Sequence, residues 1–312
     1  MIELILYLAA LSASIALIAG AGNLFVDSAC SIARGLGVPR AVIGLTIVSL
    51  ATTMPEFITS TAAAGLGNVG MAYGNAVGTC IFNVVIVGIA ALLIIIPVAK
   101  HQLHEGWIML GFGALVTLLA LDGGLSRIEG LLLLFLVAVF LALITRRESK
   151  NRATNKIKPS GESLRRPAVL FLLGAVGVVI GSRLLIYAGV GIATLIGVSE
   201  AAIGFTLVAI GTSIPELATA VISAAKKVPE LSLGNIIGAN ILDLSWVLGM
   251  AALINPLPAD SQTTRFSNPI MLLIMGVILG AMVARRKLTR KHGVLLLGIY
   301  VAYIVGMFAF WY

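Results

Sequence analysis

The sequence predicts an all-α integral membrane protein whose ten transmembrane helices form two inverted-topology five-helix repeats. Three observations predict it: a composition too apolar for water, ten apolar segments joined by mostly short connectors, and an internal repeat at a constant offset of 160 residues. Of 312 residues, 59% are hydrophobic and 11% charged, against roughly 25% charged in a soluble domain. A spanning helix takes about 20 apolar residues, so the chain has room for these spans and little else. Two cysteines, Cys30 and Cys80, imply no disulfide framework.

The apolar segments fall near 2–27, 41–64, 74–98, 106–121, 128–145, 168–195, 201–225, 234–256, 268–284 and 293–311. The first lacks a basic leading region and a clear small-residue cleavage site, so it reads as a retained span and not a signal peptide. The second and seventh carry a proline beside a glutamate, and the third and eighth carry G-N-x-x-G. Leu and Met stripes in the remaining spans need no more than lipid contact. The chain thus divides into a first repeat, 1–145, a basic cytoplasmic linker, 146–167, and a second repeat, 168–312.

Cytoplasmic loops of membrane proteins are enriched in Lys and Arg. With ten spans, eighteen basic residues share one side, among them Arg34, Arg40, Lys100, Lys226, Lys227 and the clusters 146–166 and 285–291. The other side holds only Arg127 and Arg265, and Arg183 lies inside the sixth span. This partition supports the span count and puts both termini outside a cell membrane. The net charge of +8 is therefore mostly a topology signal and not a nucleic-acid footprint. Loop 146–166 is positioned to meet anionic lipid headgroups.

Two stretches repeat without gaps. AVIGLTIVSLATTMPEFITSTAAA (41–64) matches AAIGFTLVAIGTSIPELATAVISA (201–224) at ten of 24 positions, including Thr52/Thr212, Pro55/Pro215 and Glu56/Glu216. GNAVGTCIFN (74–83) matches GNIIGANILD (234–243), with Asn83 facing Asp243. Each half holds five spans, an odd number, so the second half enters the membrane in the opposite sense. Inverted repeats of this kind bind their cargo near the midplane, where broken helices meet.

Of 13 carboxylates, three lie deep inside spans: Glu56, Glu216 and Asp243. An ionised group there is costly unless partnered, and its default reading is functional. A purely structural role needs partners, and Arg183 alone cannot neutralise three acids. Proline removes a backbone donor and frees a carbonyl about one turn earlier. Pro55 thus frees a carbonyl near Leu50 to Thr52, and Pro215 one near Ile210 to Thr212. Ser49, Thr52 and Thr53 surround the first break, and Thr212 and Ser213 the second. Carboxylate, carbonyl, hydroxyl and amide oxygens suit hard cations such as Ca2+ and Na+. His101, His104 and His292 sit at span ends, which argues against zinc or copper. Small residues let helices approach, so Gly74, Gly78, Gly234 and Gly238 are expected to bring spans three and eight against the broken ones. Asn75 and Asn235 are expected to tie down opened backbone.

These paired motifs resemble the two α-repeats of the cation/Ca2+ exchanger superfamily, specifically its prokaryotic Na+/Ca2+ exchanger branch, over 41–91 and 201–251. The resemblance implies a non-enzymatic antiporter exchanging 3 Na+ for 1 Ca2+, electrogenic, working by alternating access with spans one and six sliding over a rigid core. It implies no cofactor, only the transported ions, and function as a monomer. By position, it implies a Ca2+ site of Glu56, Glu216 and the carbonyls of Thr52 and Thr212. One Na+ site would use the Ser49 carbonyl, Thr52, Thr53, Thr79 and Glu56. Another, the outer one, would use the Ala209 carbonyl, Thr212, Ser213, the residue at 239 and Glu216, and Asn83 and Asp243 would complete the central position. Three positions depart from the pattern: Ala239 replaces a usual serine, Ala51 a usual glycine, and Arg183 stands where relatives often carry an acid or polar residue. A Ca2+/H+ exchanger is the nearest alternative, a cation channel a more distant one. An intramembrane hydrolase fits least, for want of a Ser/His pair or H-E-x-x-H.

Overall fold

The structure, a computed structural model, describes residues 2–154, 163–195 and 211–311. These residues form a multi-pass helical membrane protein. Among them, eight helices are long and apolar enough to cross a bilayer, and a ninth span is a pair bent by 43°. The seventh predicted span, 201–225, falls partly outside the described residues, and the helix Ile214–Ala225 is its described remainder.

Helix α1 spans Ile2–Leu36, longer than its apolar segment. Residues 28–36 stay helical because Ala29, Ile32 and Ala33 are buried with Ile43, Val48, Phe171, Val228 and Leu231 in a second apolar core. The helix stops at Gly37, whose φ of 64° is a left-handed value that glycine adopts without strain. Span two is broken. It comprises α2 (Arg40–Ile43), a π turn (Gly44–Val48), α3 (Ser49–Thr52) and, past Thr53, α4 (Met54–Gly65). Pro55 lies in the first turn of α4, where a missing N–H costs nothing.

Helices α5 (Val69–Leu93), α6 (Lys100–Leu119), α7 (Arg127–Thr154) and α8 (Arg165–Leu195) follow. The stretch read as linker therefore starts as helix, α7 continuing to Thr154. After it come α9 (Ile214–Ala225), α10 (Pro229–Leu242), a π turn (Asp243–Val247) and α11 (Leu248–Ile254). A third π turn (Thr263–Ser267), α12 (Asn268–Arg285) and α13 (Arg290–Trp311) close the chain. Two short antiparallel ladders tie the ends: β1 (Ile96–Pro97) pairs with β4 (Lys287–Leu288), and β2 (Gly124–Leu125) with β3 (Leu257–Pro258).

The apolar windows of α5 and of Pro229–Ile254 are 78% and 83% buried, against 28% for the window in α8. These two spans therefore form the middle of the molecule. Helices α1 and α8 pack on each other through glycine. A Cβ at Gly174 would lie 2.7 Å from the Phe25 nitrogen, and one at Gly181 2.7 Å from Ile18. Such small residues give helices in lipid the close approach that replaces a hydrophobic driving force.

Candidate cation site

The site forms where the broken span meets α10. A Cβ on Gly44 would stand 2.9 Å from the Asn235 nitrogen, and one on Gly238 2.6 Å from the Ser49 hydroxyl. Gly234 likewise has no room for a side chain against the Ala41 carbonyl. The expected close packing therefore holds for Gly234 and Gly238. No atom within 4 Å of a Cβ at Gly74 or Gly78 belongs to the described residues; the segment matching 41–45 at the repeat offset, 201–205, lies outside them.

This packing buries Glu56 in the first turn of α4 and Glu216 in the first turn of α9. Both are 0% exposed, as is Asp243 at the start of its π turn. The three interact through space: Glu56 feels Glu216 and Asp243, and Asp243 feels Glu216. Thr52 ends α3, Thr53 occupies the break, and Thr212 and Ser213 precede α9. Thr79 and Asn83 lie on α5, and all six of these residues are buried. Ser49 is buried too, and its hydroxyl donates to the Leu45 carbonyl at 2.8 Å. Its carbonyl, the predicted ligand, accepts the Thr53 N–H at 2.9 Å. Ala209 lies outside the described residues.

Buried polar atoms ordinarily find partners, yet here a whole set has none among the described residues. It includes both carboxyl oxygens of Glu56 and of Glu216, Oδ1 of Asp243 and of Asn83, and the hydroxyls of Thr53, Thr79, Thr212 and Ser213. The other Asp243 oxygen accepts from Asn83 Nδ2 at 3.5 Å. The ion pairs among the described residues, Arg40–Glu230 at 3.2 Å and Lys226–Asp27 at 2.8 Å, lie elsewhere. Arg183 is exposed on α8. Two or three carboxylates without a protein cation, ringed by hydroxyl and amide oxygens, form a receptor for a hard cation. No group of three His, Cys, Asp or Glu side chains among the described residues gathers tightly enough to hold a metal by itself. A cation here must therefore draw on the neutral oxygens as well.

A cavity of about 610 Å3 reaches this centre at Thr79 and Thr212 and runs to Asp260, Gln262 and Thr263. Asp260, at its far end, is exposed.

Four contacts lie beyond what the sequence conveys. Among the described residues both asparagines bond side chains and not backbone: Asn235 Oδ1 accepts from the Thr52 hydroxyl at 3.2 Å, and Asn75 Nδ2 donates to Ser60 Oγ at 3.0 Å. Asn240 Nδ2 donates to the Cys80 carbonyl at 3.2 Å, and Cys80 Sγ points back to the Asn240 carbonyl. Phe57 stacks on Trp246 with centroids 4.1 Å apart, packing α4 on the π turn that carries Asp243. The 160-residue spacing of Cys80 and Asn240 is a signal that the sequence itself carries. The two residues differ, so identity between the repeats does not mark the pair.

The family described as sodium/calcium exchanger protein matches residues 6–146 and 166–309. The sodium/calcium exchanger MaX1 of Methanosarcina acetivorans is 31% identical over 91% of this chain and 93% of its own. The inner membrane protein YrbG of Escherichia coli is 32% identical over 98% of each. The structure of the sodium-calcium exchanger NCX_Mj soaked with 2.5 mM Na+ and 10 mM Sr2+ is similar at a TM-score of 0.86. It has 29% sequence identity and covers 97% of this chain and 99% of the other.

Proposed function

Because the chain belongs to the sodium/calcium exchanger family, we propose that it exchanges Na+ for Ca2+, three for one and electrogenically, extruding Ca2+ by alternating access. The observation that carries this reading is the set of fully buried carboxylates without a protein cation. Ionised glutamates in a low-dielectric centre resist crossing the membrane without counter-ions. One Ca2+ neutralises Glu56 and Glu216 together, and Na+ ions must replace it before access can switch. Counter-transport is then obligatory, and a third Na+ moves net charge worth about 2.3 kcal/mol per 100 mV.

In this reading Ca2+ binds Glu56, Glu216 and the carbonyls of Thr52 and Thr212. Na+ takes Ser49, Thr52, Thr53 and Thr79 on one side, and Ala209, Thr212 and Ser213 on the other, with Asn83 and Asp243 at the centre. Ten spans in two inverted repeats, 1–145 and 168–312, frame the site. Contacts between residues 160 apart, Cys80 with Asn240 and Asn83 with Asp243, support that symmetry. A residue meets its own equivalent only near a two-fold axis. The crossed pairing of β1 with β4 and of β2 with β3 supports it too. The cavity runs toward the side poor in Lys and Arg, the outside of the cell membrane by the charge partition, so the centre faces outward.

Uptake of 45Ca into Na+-loaded proteoliposomes tests the proposal. Glu56→Gln and Glu216→Gln should each lower it about 100-fold or more, because a lost charge at a buried cation site costs several kcal/mol and each 1.4 kcal/mol is tenfold. Undiminished uptake in either variant defeats the assignment. Uptake driven by a pH gradient without Na+ replaces it with Ca2+/H+ exchange.

A further inference from the structure

Asn75 and Asn235 occupy the same place in the two G-N-x-x-G motifs, yet they are bonded differently. Asn75 Nδ2 donates to Ser60 Oγ on α4, inside its own half. The residue equivalent to Ser60 at the repeat offset is Ala220, which has no acceptor to offer. Asn235 Nδ2 is accordingly buried and without a hydrogen-bond partner among the described residues. Its Oδ1 is turned across the interface, where it accepts the Thr52 hydroxyl at 3.2 Å. The same hydroxyl oxygen lies 3.4 Å from the Ser49 carbonyl oxygen, the longer of the two contacts.

The backbone around Asn235 holds this contact in place. Gly234 and Gly238 flank it and let α10 touch span two, and Gly44 sits against the Asn235 nitrogen. A threonine hydroxyl has one proton and two lone pairs. With its proton directed to Asn235 Oδ1, the Thr52 oxygen keeps lone pairs for a cation. The Thr212 hydroxyl has no hydrogen-bond partner among the described residues and must be oriented when an ion arrives, an ordering cost that a preset group avoids.

We infer that Asn235 is a positioning residue that presets the Thr52 hydroxyl as a cation acceptor. Thr52 and Thr212 are thereby inequivalent despite their identical motifs. This inference rests on the cation-exchange reading above and adds a residue to it that touches no ion.

A double-mutant cycle in proteoliposomes, reading Ca2+ and Na+ half-saturation separately from maximal rate, tests it. Asn235→Ala should raise the half-saturation for at least one ion by about fivefold to tenfold, within the range of contacting buried pairs, with maximal rate changed less than about twofold. Thr52→Val should raise the same half-saturation at least as much, and the double variant should be no worse than Thr52→Val alone. Thr52→Ser, which keeps the hydroxyl, should retain most of the affinity. Asn75→Ala and Thr212→Val should instead combine multiplicatively. Should Asn235→Ala fail to fold, Asn235→Ser, too short to reach Thr52, carries the same expectation. Multiplicative effects at Asn235 and Thr52, or a loss of thermal stability and maximal rate with half-saturation unmoved, make Asn235 a packing residue and overturn the inference. Wild-type protein without Na+-driven uptake overturns the exchange reading and this inference with it. Wild-type uptake with an uncoupled cycle overturns only the role of Asn235.

Discussion

At the scale of single residues, low charge density is what makes the site visible. In a chain with 11% charged residues, a carboxylate inside an apolar run stands out, and Glu56, Glu216 and Asp243 are all found fully buried. What sequence cannot convey is which polar atoms satisfy one another. Asn235 reads as a backbone tie, yet it bonds the Thr52 side chain, because the partner comes from another span and is fixed only by packing. The same scale holds a consequence of Ala239, which stands on buried α10 at the repeat position of Thr79. Ala239→Ser restores a hydroxyl to the half that lacks it. One added hydrogen-bond-scale contact of about 1 kcal/mol should lower the Na+ half-saturation roughly fivefold, read from the Na+ dependence of 45Ca flux. An unchanged or raised Na+ half-saturation would remove position 239 from the outer Na+ site.

At the scale of elements, the prolines foretell the breaks, since a missing donor leaves a helix no way to continue its ladder. The bend of 43° falls one residue before α4. The lengths of α1 and α7 are not foretold by hydropathy, because a helix persists wherever its backbone bonds close, whether or not its side chains prefer lipid. Close backbone approach makes span two sensitive to volume. Gly44→Ala would push a methyl group into the Leu231 carbonyl, so it should cost about 1–3 kcal/mol as overpacking does. The loss should appear as a lowered melting temperature in detergent, with Gly65→Ala, whose Cβ has no described neighbour within 4 Å, as the comparison. Equal melting temperatures for the two variants would mean that α10 and span two are not in tight contact.

At the scale of the whole molecule, two ladders of the same build carry unlike charge. The β1–β4 end gathers Lys100, Arg285, Arg286, Lys287, Arg290 and Lys291, while the β2–β3 end carries Asp122, Arg127, Glu129 and Asp260. In the proposed orientation, which rests on the charge partition, the first faces inward and the second outward. Cys30 and Cys80 are both buried, so a membrane-impermeant maleimide should meet little background. It should label Ser261→Cys in intact cells and Lys287→Cys only after permeabilisation, and the reverse pattern would invert the topology. Sequence alone determined that this chain crosses a membrane many times, and it singled out the charge partition and the buried acids on which the proposed orientation and cation site rest. Those follow from the transfer cost of individual residues, which is local and additive. Tertiary structure decided which oxygens remain unpaired, how Asn235 and Thr52 join separate spans, and where a cavity reaches the centre. Each of these depends on how closely two backbones approach, and that is set by glycines whose partners lie nearly 190 residues away in the chain.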